Sequence, residues 1–251
     1  MFKTQFPEID EHIRELHASI KTVLGSRLCG LYLFGSIVGG DFNPKTSDID
    51  LLAIVETTIT EQELHALGAM HQDFIERHPE WHDRIEVAYV SAEAMRNFKT
   101  TTAPIVRISP GEPLHHRDMD IQWLTDWHMV QEQGITIDGP EPSVFIPTIT
   151  EQEFIDSITH EYPLWLERAK EARWVGYQSY VILSLSRNLY AIRHGHQASK
   201  LKGGAWIARE YPEWADLVRR AVKWHGSSDR SDSPGTQDET IQFAEFMMRK
   251  V

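Results

Sequence analysis

Cysteine is nearly absent: Cys29 is the only one in 251 residues. That excludes an intrachain disulfide and fits a reducing compartment, so the cytoplasm is the expected location. No stretch approaches 18 apolar residues, so no membrane-spanning helix and no membrane partner are expected. The start, Met1-Phe2-Lys3-Thr4-Gln5-Phe6-Pro7-Glu8, lacks the apolar core of a secretory signal. Also missing are the Walker A pattern, Gly-x-Gly-x-x-Gly and Gly-x-Ser-x-Gly, which removes three common nucleotide-binding and hydrolase readings. No internal repeat is present.

Positive charge is scarce in the first half. Residues 1–150 carry 11 Lys and Arg against 23 Asp and Glu, a balance of −12, and the remainder carries 14 against 14. An acidic half repels nucleic-acid backbones and favours metal ions and cationic ligands. With 41% apolar and 25% charged residues the composition is that of a globular protein, long enough for one large core or two smaller ones.

The first half alternates helix and strand signals. Pro7 opens a helical pattern, Ile9, Ile13, Leu16, Ile20 and Val23, that Gly25 closes. Leu31 to Phe34 reads as a buried strand, followed by Gly35-Ser36 and a loop over 39–44. A second strand runs from Ile49 to Val55, a third covers 85–90 and a fourth lies near 105–108. Thr60-x-x-Glu63 is a capping box for a helix with Leu64, Leu67 and Phe74 on one face. A short helical piece is expected near 92–98, and a helix from about Asp120 to Gly134. The whole is an α/β unit with a small mixed sheet.

From Thr150 onward the pattern is helical. Thr150-x-x-Glu153 caps one helix, with a break expected at Pro163. Trp174 to His194 is strongly apolar, with Val181, Leu185, Leu189 and Ile192 on the buried stripe. Ser199 caps a further helix, Pro212 starts another, residues 226–235 read as a loop, and Thr236-x-x-Glu239 caps the last helix. Five of the eight tryptophans fall here and at helical spacing read as core. Among the histidines, His12, His65, His71 and His128 read as mostly on polar helix faces. His115-His116, beside Asp118 and Asp120, read as a loop rather than a zinc site.

The chemistry concentrates in a few residues. Asp48 and Asp50 open the second strand two apart and therefore project from one side of a sheet. Glu86 opens the third and can reach the same side. Paired carboxylates of this kind bridge two Mg²⁺ ions about 3.5–4 Å apart. Backbone N–H groups after a Gly-Ser turn cradle phosphate oxygens. A third carboxylate can take the proton from an acceptor hydroxyl.

On these residues, Gly35-Ser36 with Gly39 or Gly40 and then Ser47-Asp48-Ile49-Asp50-Leu51-Leu52, the chain resembles the DNA polymerase β-like nucleotidyltransferase superfamily. Ser186-Arg187-Asn188-Leu189-Tyr190, Ser199-Lys200 and Ala205-Trp206-Ile207-Ala208 are similar to the all-helical second domain of streptomycin/spectinomycin-type aminoglycoside adenylyltransferases. So is Asp138-Gly139-Pro140 at the junction. The resemblance covers both halves in order. It implies an α/β nucleotidyltransferase domain over residues 1–145 and an all-α helical bundle over 146–251.

The resemblance further implies transfer of AMP from ATP, with Mg²⁺, to a hydroxyl of a small cationic molecule, an aminoglycoside or aminocyclitol antibiotic. Asp48 and Asp50 would ligate Mg²⁺, and Glu86 would be the catalytic base and approach the metal. Gly35, Ser36 and Ser47 would hold phosphates, and Arg187 and Lys200 would reach the triphosphate. The last pair makes sense independently, because ATP brings about four negative charges that an acidic half cannot hold alone. A monomer is expected.

One departure stands out. The family holds its acceptors partly through acidic side chains on the helix leading to the arginine. Residues 172–187 here contain Arg173, Trp174, Tyr177 and Gln178 but no carboxylate. Glu112, Asp118, Asp120, Glu161 and Glu167 are the acids that would substitute. Two other functions stay open at this level: the same transfer to a protein or RNA, as in toxin–antitoxin pairs, and a non-catalytic nucleotide-binding protein. The large helical half argues against the first, and the intact Asp48, Asp50 and Glu86 against the second.

Overall fold

Strand alternation decides which side of the sheet is apolar and which is free for chemistry. The computed structural model describes residues 2–227 and 229–251, so Met1 and Ser228, the latter in the loop expected over 226–235, lie outside the described residues. The chain divides into two units, Met1–Ile149 and Thr150–Val251. The first runs α1 (Pro7–Leu24), β1 (Leu28–Phe34), α2 (Ser36–Gly39), β2 (Ile49–Val55), α3 (Glu61–Arg77), β3 (Ile85–Ser91), α4 (Ala92–Asn97), β4 (Ala103–Ser109), β5 (Glu112–Met119), α5 (Leu124–Gln133) and β6 (Ile135–Asp138).

Its strands form one sheet in the order β5-β4-β3-β2-β1-β6. β2 and β3 are parallel, joined by α3, and every other pair is antiparallel. Leu31 and Leu33 of β1, Leu51, Ala53 and Val55 of β2, and Val87 and Tyr89 of β3 enter one core with Ile9, Ile13, Leu16 and Ile20 of α1 and Leu67 and Phe74 of α3. The alternate residues Asp50 and Glu86 consequently belong to the opposite face. There Phe34 meets Trp127 of α5, with ring centroids 6.5 Å apart.

The capping box at Thr60 is formed in full, with Thr60 accepting from Glu63 N–H and Glu63 from Thr60 N–H. Such a cap is worth about 1 kcal/mol. Two strands escaped the sequence pattern. Residues 112–119, expected as a loop around His115-His116, are β5, an edge strand hairpinned to β4. Its side chains are mostly exposed, so no apolar alternation marks it. Residues 135–138 form β6 on the other edge.

His71 and His128 are buried, not on polar faces. His71 Nε2 hydrogen-bonds the Tyr89 hydroxyl at 2.8 Å. Burial pushes its imidazole down to about 4. The folded value lies below the ordinary one, so the neutral ring's contribution is intact above pH 6.5 and is lost as pH falls toward 4. Denaturant titrations should therefore show the wild type losing up to about 3 kcal/mol more than His71→Gln between pH 7 and 4. Equal losses would mean that His71 does not set this limb.

The second unit is helical throughout: α6 (Glu151–Glu171), α7 (Val175–His194), α8 (Lys200–Glu210), α9 (Ala215–Trp224) and α10 (Pro234–Met248), linked by turns. α6 passes through Pro163 without the expected break. Only one ladder bond, that to Thr159 O, is forfeited, and Pro163 stands on the exposed side. α7 is the central helix, with Val181, Ile182, Leu183, Leu185 and Leu189 buried, though Ile192 is only half-buried. α10 starts at Pro234 rather than at a Thr236 cap, with proline at its first position. Of the five tryptophans here only Trp165 is buried; Trp174, Trp206, Trp214 and Trp224 are half-buried, so the core assignment fails for four of them.

Candidate active site

Parallel pairing sets Asp50 directly opposite Glu86 in register, and antiparallel pairing sets Phe34 opposite Asp50 on its other side. The two acids thus start one strand spacing apart on the same face. Asp48, two residues before Asp50, joins them from the loop that enters β2. Oxygen atoms from Asp48, Asp50 and Glu86 all lie within 4.8 Å of one another.

The chain leaving β1 passes close by. Gly35 has φ 72° and ψ −150°, a conformation that essentially only glycine adopts. A Cβ built there would overlap the Asp50 carboxylate. Gly35→Ala should therefore lower turnover at least tenfold by displacing Asp50; steady-state kinetics and a melting curve would check it, and unchanged kinetics would show that the approach is slack. Next comes Ser36, whose hydroxyl is buried and has no hydrogen-bond partner among the described residues. A buried, unsatisfied hydroxyl costs about 1–3 kcal/mol, and a phosphate oxygen is a natural acceptor for its proton.

The loop between α2 and β2 is pinned from below. Ser47 Oγ accepts from Asn43 N–H at 3.0 Å, so this hydroxyl is already engaged as an acceptor and keeps its proton to donate. Arg84, at the entry to β3, donates Nε–H to Ser47 O at 2.9 Å and an Nη2–H to Pro44 O at 2.9 Å. Its guanidinium lies 4.5 Å from the Trp81 ring centroid. One arginine therefore fixes the backbone that delivers Asp48.

Two neighbours of Glu86 went unnoticed in the sequence. Arg107 on β4 donates to Glu86 Oε1 at 2.8 Å and stacks 4.8 Å from the Trp123 centroid. Asp126 on α5 adds negative charge. Burial pushes the Glu86 carboxyl up to about 7, against the pull of Arg107, with Asp126 and Asp48 adding to the push. Arg107 pairs with Ala88 and so shares the face of Glu86. The pairing of β4 had to be known first.

Three carboxylates on one face supply only hard oxygen donors, and their oxygens already converge. That donor set fits Mg²⁺, which takes carboxylate and phosphate oxygens and keeps several waters. His115 and His116 take no part in any three-ligand cluster among the described residues.

Arg187 and Lys200 lie in the second unit. Arg187 is half-buried on α7, where Gly203 of α8 packs so closely that a Cβ would meet the Arg187 backbone. Lys200 opens α8, and its Nζ stands 4.9 Å from the Tyr180 centroid. Ser199 caps α8 by accepting from Lys202 N–H at 3.2 Å. Tyr180 also touches Tyr177 and Trp165, at 6.1 Å and 5.5 Å between centroids.

A mixed sheet with a Gly-Ser turn and three clustered acids defines a nucleotidyltransferase, and residues 18–101 match the family described as "Nucleotidyltransferase domain". Residues 144–250 match "Aminoglycoside adenylyltransferase, C-terminal domain". The two matches follow one another along the chain, a nucleotidyltransferase domain and then an aminoglycoside adenylyltransferase C-terminal domain. The chain is similar to an aminoglycoside (3'') (9) adenylyltransferase of Shigella flexneri, 24% identical over 97% of this chain and 96% of that one. It is also similar to a spectinomycin 9-adenylyltransferase of Campylobacter jejuni, 23% identical with the same coverage of each. Its fold is shared with a spectinomycin adenyltransferase from Enterococcus faecialis solved with ATP and spectinomycin: TM-score 0.77, 17% identity, 95% of this chain and 98% of the other covered. Among the described residues, no helix is long and apolar enough to cross a membrane.

Proposed function

We propose that this enzyme moves AMP from ATP to a hydroxyl of a small cationic antibiotic of the aminoglycoside or aminocyclitol class. The observation that carries the proposal is the convergence of Asp48, Asp50 and Glu86 within 4.8 Å beside the buried, unsatisfied Ser36 hydroxyl. Asp48 and Asp50 would hold Mg²⁺, with Glu86 near it. The bound metal supplies charge neutralisation for the triphosphate and the developing negative charge.

The remaining work belongs to side chains. Ser36 and Ser47 donate to phosphate oxygens, next to the Gly35 turn. Family likeness alone supports Arg187 and Lys200 as the cations that would offset triphosphate charge. Glu86 takes the proton from the acceptor hydroxyl. That oxygen attacks the α-phosphorus as the bond to the β-phosphate bridging oxygen breaks, so AMP becomes an ester and pyrophosphate departs. The place of Glu86 on the sheet face beside Asp50 puts its carboxylate where the acceptor hydroxyl would meet the α-phosphorus. Arg107 keeps the carboxylate oriented through its 2.8 Å bond. The acceptor's cations are drawn to the half that carries the whole −12. The relatives named for aminoglycosides and spectinomycin support the acceptor class.

Pyrophosphate release with ATP and Mg²⁺ across aminoglycosides, aminocyclitols and lincosamides tests this. Release with an aminoglycoside or aminocyclitol and with no lincosamide is expected. Release with none of the panel, while labelled AMP appears on protein or RNA, would overturn the acceptor class.

A further inference from the structure

The acid cluster is not the only convergence of metal-ligating groups. On the apolar side of the sheet, α1 presents His12 and Glu15, three residues apart and so on one side of the helix. They meet His78, which closes α3. One ligand atom from each of His12, Glu15 and His78 lies within 4.8 Å of the other two. His78 Nε2 is 2.8 Å from Glu15 Oε2. The rings of His12 and His78 stand edge to face, 4.6 Å between centroids. Buried Trp81 and Phe74 back the His12 ring at 5.6 Å and 6.3 Å. Glu80 Oε1 is 3.7 Å from His12 Nε2, beyond hydrogen-bond reach.

We propose that His12, Glu15 and His78 bind a divalent transition-metal ion of the zinc type, with Glu80 as the fourth ligand, tying α1 to the end of α3. Two imidazole nitrogens with carboxylate oxygens form a donor set that zinc accepts at about 2.0–2.2 Å in a tetrahedron. Ligand atoms would then stand roughly 3.4 Å apart, so the groups now within 4.8 Å need only side-chain rotation to close. Imidazole favours zinc, nickel or copper, whereas the all-oxygen cluster at Asp48, Asp50 and Glu86 suits Mg²⁺. The two sites therefore select different ions. Arg77 also pairs with Glu15, but its other arm already holds Asp73 at 3.0 Å, so it can yield Glu15 without losing its partner. The site stands apart from the transfer chemistry and does not rest on it.

The test uses the full chain, stripped by chelator and titrated with Zn²⁺ in excess Mg²⁺, followed by calorimetry and thermal melting. One Zn²⁺ per chain with micromolar or tighter affinity is expected, with a melting rise of several degrees. His12→Gln and Glu15→Gln should each weaken binding at least tenfold, while the Asp48→Asn/Asp50→Asn double variant should keep it. Co²⁺ on the unmutated protein should give the intense visible bands of a tetrahedral site, a readout that needs no variant. Zn²⁺ binding only at millimolar concentration, or binding lost in the Asp48/Asp50 variant and kept in His12→Gln, would overturn the proposal.

Discussion

Asp50→Asn should lower turnover by roughly a thousandfold, since charge stabilisation of phosphoryl transfer supplies most of the catalysis. Asparagine keeps the size of the side chain and its fit against Gly35, so the turn out of β1 survives. What disappears is one negative charge from a cluster of three carboxyl groups whose oxygens lie within 4.8 Å. Like charges this close repel, so the melting temperature of the nucleotide-free variant should hold or rise. That combination separates function from folding. A turnover near the wild-type value would remove Asp50 from the metal-binding set, and a collapsed melting transition would recast it as structural. Asp48→Asn should behave alike, with the added expectation that Arg84 still holds the loop through Ser47 O.

Glu86→Gln is expected to cut transfer by about a hundredfold to ten-thousandfold, the usual contribution of a positioned general base. Glutamine keeps an acceptor for Arg107, so the 2.8 Å contact and the stack on Trp123 have no reason to break. ATP affinity, measured by calorimetry, should change by only a fewfold, because Asp48, Asp50 and Ser36 remain. Unimpaired single-turnover transfer would rule Glu86 out as the base. A large loss of ATP binding with little loss of chemistry would instead mark it as a metal ligand alone.

The elements visible in the sequence are those whose burial is written in their own side chains. α1 shows its stripe because Ile9, Ile13, Leu16 and Ile20 all face one core, and β1 to β3 show as apolar runs because both sheet faces are covered. β5 and β6 lie on the two edges and take their order from neighbours rather than from their own side chains. β5 in particular, Glu112 to Met119, buries only Met119. Pro163 misled because a helix long enough to lose one hydrogen bond does not have to stop there.

The acids were legible for a reason peculiar to strands: a spacing of two fixes a face before any partner is known. Arg107 and Asp126 act on Glu86 from β4 and α5, and only strand pairing and packing reveal that they are close. The same limit hid the grouping of His12 with His78, which are far apart in sequence and meet through the packing of α1 on α3. Arg187 and Lys200 came from family likeness; their own spacing says little.

The parallel zip of β2 and β3 has a further consequence. The gap between Asp50 and Glu86 is a backbone dimension, about 4.8 Å between chains, held by the amides that hold the sheet. A one-residue slip of β3 would swing Glu86 into the oily interior and turn Val87 out beside Asp50. Such a molecule would be unstable as well as inert. Quality control of the fold and readiness for chemistry are thus a single event, and no later adjustment is needed to arm the pair.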